Sequence, residues 1–218
     1  MRLIALGVIF ACITMGILFS SCAKESKSDK YADSLKIAKI VQPNGLTGKD
    51  VIIESIAPER NFGNFSYLTV FSWTNEGSFN TARTLIEFNL SDIPPLTKIH
   101  KATISLYWTS FENLSGHTGD NAFSICRIVE KWGENIVNWN NQPLTSTLHT
   151  VSVPKSKTTN QSFLDIEVTD LVQDIVNYPS NSHGFMLKLD EESPYRLVIL
   201  ASSNCPEKNK RPKLVVFY

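Results

Sequence analysis

Ala102-Thr103-Ile104-Ser105-Leu106-Tyr107-Trp108 alternates apolar and polar side chains almost without a break. Successive side chains of a strand point to opposite faces. Ala102, Ile104, Leu106 and Trp108 therefore share one side, with Thr103, Ser105 and Tyr107 on the other, as in a half-buried strand. Comparable runs return at 51–56, 67–71, 84–90, 123–129, 148–153, 163–168, 185–189, 196–201 and 213–218. Turn-forming clusters separate them, among them Asn44-Gly45, Asn61-Phe62-Gly63, Pro94-Pro95 and Tyr178-Pro179-Ser180-Asn181. About ten strands without amphipathic helices between them predict an all-β fold, an antiparallel β-sandwich or jelly roll of two sheets packed face to face. One short helix is expected over 169–176, where Leu171 with Ile175 and Val172 with Val176 recur at i,i+4 and Thr169 stands as N-cap. It would close one open end of the sandwich. The last strand, 213–218, is apolar on both faces and is expected to pair centrally.

The N-terminus sets the compartment. Met1-Arg2 is followed by an uncharged stretch from Leu3 to Ala23 and then by the polar run Lys24-Glu25-Ser26-Lys27-Ser28-Asp29-Lys30, the layout of a signal peptide. About 20 apolar residues also suffice to span a bilayer, but this stretch ends Leu18-Phe19-Ser20-Ser21-Cys22. Small residues directly before a Cys resemble a bacterial lipobox, with Phe19 where Leu is commoner. The resemblance implies cleavage after residue 21 and a lipid on Cys22, whose acyl chains anchor through each buried CH2. Ala23 after the Cys resembles lipoproteins sorted to the outer membrane, facing the periplasm or the cell surface. The expected organisation is a signal peptide over 1–21, a tether over 22–35 and one domain over 36–218.

The composition is that of an ordinary globular chain, 42% hydrophobic, 10% aromatic and 19% charged, which excludes a disordered or multi-span protein. Its formal net charge of zero argues against nucleic acid, which needs a basic face. Of the four cysteines, Cys126 and Cys205 fall in the domain. They can pair in an oxidising compartment; the strand context of Cys126 favours a small buried apolar residue instead.

Several ordered motifs resemble the DNRLRE domain family: Asn61-Phe62-Gly63-Asn64, the run from Arg83 through Asn89 to Pro94, the run from Ile99 to Tyr107, Trp132-Gly133-Glu134 with Val137 to Pro143, the run from Ile166 to Gln173, Gly184 to Lys188, and Arg211 to Leu214. The resemblance covers about Asp50 to Tyr218. It implies a jelly-roll sandwich on secreted or surface proteins, some related members of which are carbohydrate-binding modules for acidic polysaccharides such as alginate. Trp132 and Trp139, inside these motifs, are expected to close an end of the sandwich. Two departures stand out: Ile175 where the family usually has Trp, and Asn89 where it usually has Asp.

No Gly-x-Ser-x-Gly, His-Glu-x-x-His or phosphate-binding glycine loop occurs, so no catalytic residues and no cofactor are expected. Asp190-Glu191-Glu192 lies between two strands and is expected to be solvated charge. The best candidate loop for a structural calcium ion is Gly116-His117-Thr118-Gly119-Asp120-Asn121. A polysaccharide offers apolar C–H faces that stack on exposed aromatics, for which Tyr107 and Trp73 are the candidates. For a uronate polymer the partners should be cationic, and Arg83, Lys188 and Arg196 lie in strands or at their ends. The expected function is a lipid-anchored, non-catalytic module for polysaccharide. The rival is a structural or adhesive subunit binding a protein partner, recognisable by a flat apolar patch instead of a groove.

Overall fold

The structure, a computed structural model, describes residues 38–44, 47–112 and 116–218. The signal segment, Cys22 and the tether lie outside the described residues. Among the described residues the chain forms eleven strands: β1 (Ala38–Val41), β2 (Gly48–Glu54), β3 (Tyr67–Asn75), β4 (Ser78–Phe88), β5 (Lys101–Leu106), β6 (Phe123–Ile128), β7 (Thr145–Val153), β8 (Phe163–Glu167), β9 (Phe185–Leu189), β10 (Arg196–Ala201) and β11 (Lys213–Phe217). Helix α1 (Thr169–Asn177) stands between β8 and β9. All pairings are antiparallel. A four-stranded sheet runs β1-β11-β5-β8, and a seven-stranded sheet runs β10-β3-β4-β9-β6-β7 with β2 added on β4. The fold is the all-β sandwich that the alternation predicts, and β11 is indeed internal, between β1 and β5.

Strand β4 organises the larger sheet because it has three partners and only two edges. Ala82 to Phe88 pair with β2 on one edge. On the other, Ser78 to Ala82 pair with β3 and Thr84 to Ile86 pair with β9. β3 therefore has to leave that edge where β9 arrives. It does so on the inner side of β4, where Thr84 Oγ1 donates a 2.8 Å hydrogen bond to the Thr69 carbonyl. Beyond the fork, β10 follows β3 and meets the end of β5, with Ala201 N donating to the Tyr107 carbonyl at 2.8 Å.

The period-2 pattern sorts β4 into two faces. Ala82, Ile86 and Phe88 enter the main core with Phe185 and Leu187 of β9, Phe123 and Ile125 of β6, and Ile104 and Leu106 from the opposing sheet. Leu85 faces away, into a second apolar cluster with Val51, Ile53, Ile128, Met186, Trp132 and Val137. The larger sheet is thus buried on both sides over part of its area, and the segment carrying Trp132 and Val137 roofs its outer face.

Helix α1 packs Leu171, Val172 and Val176 on the main core. Its start differs from expectation. Val168 is the N-cap and makes no side-chain cap bond, while Thr169 is the first helical residue. The Thr169 hydroxyl accepts from Ala102 N at 2.8 Å and donates to the Glu167 carboxylate, so it serves the β5–β8 junction instead of the helix end. Asp174 ties the helix to β6 and β7 through Arg127 at 3.5 Å and His149 at 3.1 Å. Both outermost strands near α1 are irregular. β7 carries His149 at φ 58° beside a register shift against β6, and β8 carries Asp165 at φ 52° beside a shift against β5. Cys126 and Cys205 are buried and unbridged.

Asp50 on β2 is almost fully buried. Its carboxylate accepts from Ser203 N at 2.6 Å and from Ser203 Oγ at 3.0 Å, pinning the loop after β10. Burial pushes its pKa up to about 7, against the lowering effect of the two Ser203 bonds. An acid with a raised folded pKa contributes stability below its unfolded value and loses it as pH rises through the folded value. As pH rises from about 4 to 7, the melting temperature of the wild type should therefore fall relative to that of Asp50→Asn. Parallel melting curves for the two proteins across that range would overturn the assignment.

Candidate functional site

Beyond the roofed apolar patch, the outer face of the larger sheet turns polar. Arg83 is two residues before Leu85 on β4 and shares its side; Lys188 is two residues after Met186 on β9, and Leu85 faces Met186 across the pair. Ser124 of β6 stands opposite Lys188, and Cys126 opposite Met186. Arg83, Lys188, Ser124 and Cys126 line a groove of about 390 Å³ with Thr147, Thr150, Leu189, Asp190 and Glu192. Arg83 and Lys188, separated by 105 positions in sequence, are brought together by the β4–β9 pairing.

Arg83 is heavily engaged. Its Nε and Nη2 donate to the two oxygens of Glu192 at 2.7 and 2.8 Å, and its Nη1 donates to Gln142 Oε1 at 2.8 Å. The guanidinium lies 4.8 Å from the centre of the Trp139 ring. Planar fork-to-fork pairing and aromatic stacking are what a guanidinium does better than an ammonium. Lys188 has no ion-pair partner among the described residues and lines the groove half-buried.

Arg196 belongs to the same face. It pairs with Ser72 of β3, Ser72 pairs with Thr81 of β4, and Thr81 is two residues from Arg83. Directly opposed residues of an antiparallel pair share a side, so Arg83 and Arg196 do too. Arg196 Nη2 lies 3.0 Å from Glu191 Oε2. Asp190 accepts from the Ser124 hydroxyl and, at 3.0 Å, from Ser152 Oγ. All three acids of Asp190-Glu191-Glu192 have polar partners on the sheet face; Asp190 and Glu191 stay exposed, as expected of a solvated turn, and Glu192 is half-buried. The sequence signal was their position directly between Lys188 and Arg196; the partners of Glu192 and Gln142 could be found only in the fold.

The two aromatic candidates stand elsewhere. Trp73 pairs with Asn80, on the side of β4 opposite to Thr81 and Arg83. It is 38% exposed and meets the ring of Tyr195 edge-on at 5.1 Å. Tyr107 follows β5 in the smaller sheet, with Lys213 Nζ 5.9 Å from its ring. Arg83 and Lys188 therefore share the groove, Arg196 shares their side of the sheet without lining it, and Trp73 and Tyr107 belong to neither. Trp132 and Trp139 also lie away from the place expected for them. They roof the outer face instead of closing an end, because Val51, Ile53, Leu85, Ile128 and Met186 present an apolar patch there. Trp132 Nε1 donates to the His183 carbonyl at 2.8 Å, and Lys49 Nζ sits 4.3 Å from its ring.

A larger cavity, about 700 Å³, opens between β2, β4 and α1, and its lining includes Lys49, Glu87, Glu134 and His183 together with Asn89 and Ile175. In the loop before β6, Asn121 Oδ1 accepts from Ser156 N at 2.9 Å and Asp120 lies 3.2 Å from Lys155. Among the described residues no group of three or more His, Cys, Asp or Glu is placed to hold a metal ion.

The family model for carbohydrate-binding module family 96 matches residues 46–218, from just before β2 to the end of β11 and beyond. The chain belongs to this family. A search among curated proteins found no match. A family 96 module meets ligands rich in hydroxyls, and the groove of this one is lined by the polar groups of Arg83, Lys188, Ser124, Thr150, Asp190 and Glu192. Convergent polar groups in a concave site are the usual means of orienting such a ligand. The roof carries that arrangement, since Trp139 and Gln142 both hold Arg83. In this family 96 module Trp132→Ala should cost about 3–5 kcal/mol, the range for truncating a buried Trp. Trp139→Ala, at a half-buried site, should cost clearly less. Denaturant unfolding measures both, and equal losses would contradict the difference in burial.

Proposed function

We propose that the protein is a lipid-anchored module that binds an acidic polysaccharide through the outer face of its larger sheet, at the groove shared by Arg83 and Lys188. The observation that carries this reading is Lys188, a cation on a central strand beside a second cation, without a carboxylate of its own among the described residues. An ammonium left unpaired in a polar groove is suited to the carboxylate of a uronate, while Ser124, Thr147 and Thr150 are suited to ring hydroxyls. Family membership supports carbohydrate as the ligand class. The anchor rests on Cys22 and the small residues before it. A diacylated and further acylated Cys would hold the domain durably at a membrane, the outer membrane being the destination that Ala23 suggests.

Two measurements test this. Binding of alginate and pectin by the detergent-solubilised protein should weaken as salt rises, because exposed ion pairs are screened over about 8 Å at physiological ionic strength. Lys188→Gln should weaken it several-fold at low salt, with a neutral glucan little affected. Salt-independent binding of the glucan, unchanged by Lys188→Gln, would reject the acidic ligand. Separately, Cys22→Ala should release the protein from membranes or leave an uncleaved precursor. Mature, membrane-bound protein in that variant would overturn the anchor.

A further inference from the structure

The connection between β9 and β10 has an unusual path. β9 runs toward the part of the β4 edge that β3 occupies, so after Leu189 the chain has to pass over β3 to reach its far side, where Arg196 stands opposite Ser72. Residues 190–195 make that crossing over the polar outer face. The ends of the crossing are fixed. Asp190 is bonded by Ser124 and Ser152. Tyr195 contacts the Trp73 ring and its hydroxyl lies 3.3 Å from Thr74 Oγ1. It adopts φ 66°, and its carbonyl oxygen lies so close to Gly119 that a Cβ there would come within 2.1 Å. Between these anchors Glu191 and Glu192 are held to the sheet by Arg196 and Arg83. Within the crossing itself, Ser193 N and Oγ donate to Glu191 O and Oε1 at 2.9 and 3.0 Å.

We propose that residues 190–195 form a strap that competes with an acidic ligand: the carboxylates of Glu192 and Glu191 occupy the guanidinium groups of Arg83 and Arg196, and uronate carboxylates take their place when the strap lets go. The inference rests on the acidic-ligand reading given above. Its chemistry is that of like for like. Glu192 uses the Nε and Nη2 edge of Arg83, which is the edge any carboxylate would use for a bidentate pair, so two carboxylates cannot hold it together. With the strap closed, Asp190, Glu191 and Glu192 offset Arg83, Lys188 and Arg196, and the face is neutral. With the two glutamates displaced, three cations face one polymer. The two pairs differ in their access to water: the Glu191 side chain is 67% exposed, whereas Glu192, at 28%, holds Arg83 in a part-buried bidentate pair, so release would begin at Glu191. Water weakens an exposed ion pair such as Glu191–Arg196, and a repeating polyanion presents many carboxylates to a site at once.

The test compares the detergent-solubilised wild type with the double variant Glu191→Gln, Glu192→Gln, in which size is kept and charge is removed. Asp92→Asn with Glu207→Gln serves as the charge-matched control, since both residues lie at exposed positions away from the strap. Alginate and a neutral glucan are titrated at low salt, and melting curves check folding. Expected is a gain of about tenfold in alginate affinity for the strap variant, well above that of the control, with glucan affinity unchanged. A folded strap variant with wild-type or weaker alginate affinity, or a gain no larger than the control's, overturns the strap while leaving the Lys188 groove standing. Equal gains on both polymers also overturn it, because they would indicate steric opening and not competition between carboxylates. Absence of alginate binding in every protein overturns both the strap and the acidic-ligand reading. Should the double variant fail to fold, Glu191→Gln alone decides by the same criteria, its carboxylate being the more exposed.

Discussion

The edge of β4 is shared by two strands, and most of the architecture follows from that constraint. A strand edge offers one row of donors and acceptors, so β3 and β9 can use it only in succession. β3 yields by crossing to the inner side, where Thr84 meets its backbone, and carries β10 toward the end of β5. This closes one side of the sandwich and brings Leu68, Val70, Val198 and Leu200 into the main core. β9, having taken the vacated edge, then has no room to continue, and the chain must leave over the outer face. A single pairing conflict thereby accounts for the corner between the sheets and for the acidic crossing above the arginines.

The outer face divides along β4 and β9. One half, built on Leu85 and Met186, is apolar and lies under Trp132, Val137 and Trp139. The other half, two residues back along β4 and two residues on along β9, carries Arg83 and Lys188. Arg83 marks the boundary, with its flat face on Trp139 and its edge on Glu192. The same residue thus completes the packing of the roof and contributes to the wall of the groove. On the roof side the Gln142 hydrogen bond and the Trp139 ring support it, and a site for an oriented ligand requires such support.

Alternation along the chain made the strands legible and also assigned side chains to faces, because both depend on the period of two alone. Ten of the strands and the helix lie close to where the pattern puts them. β1 escaped because four residues, Ala38 to Val41, are too short to display a period, and it exists through pairing with β11. Which faces adjoin depends instead on strand order, and that is set by contacts far apart in sequence. Arg83 and Glu192 are 109 positions apart, and nothing local in either segment names the other. Trp73 and Arg196 are near neighbours across β3 and β10, yet stand on opposite sides. The placement of Trp132 and Trp139 was missed for a related reason: a strand with apolar residues on both sides shows that both are covered, but not by what.

The irregular outer strands have a consequence for how copies of the protein meet. A straight edge strand exposes unpaired amides and carbonyls that another copy can extend into a shared sheet. β7 closes one side of the larger sheet and β8 one side of the smaller, and each is bent by a non-glycine residue with positive φ, His149 in one and Asp165 in the other. Such bends shift the register and turn the donor row away from the straight line that a second strand would have to follow. The bends at these two positions thus act as insulation along the β7 and β8 edges, making each a poor template for a strand from another copy.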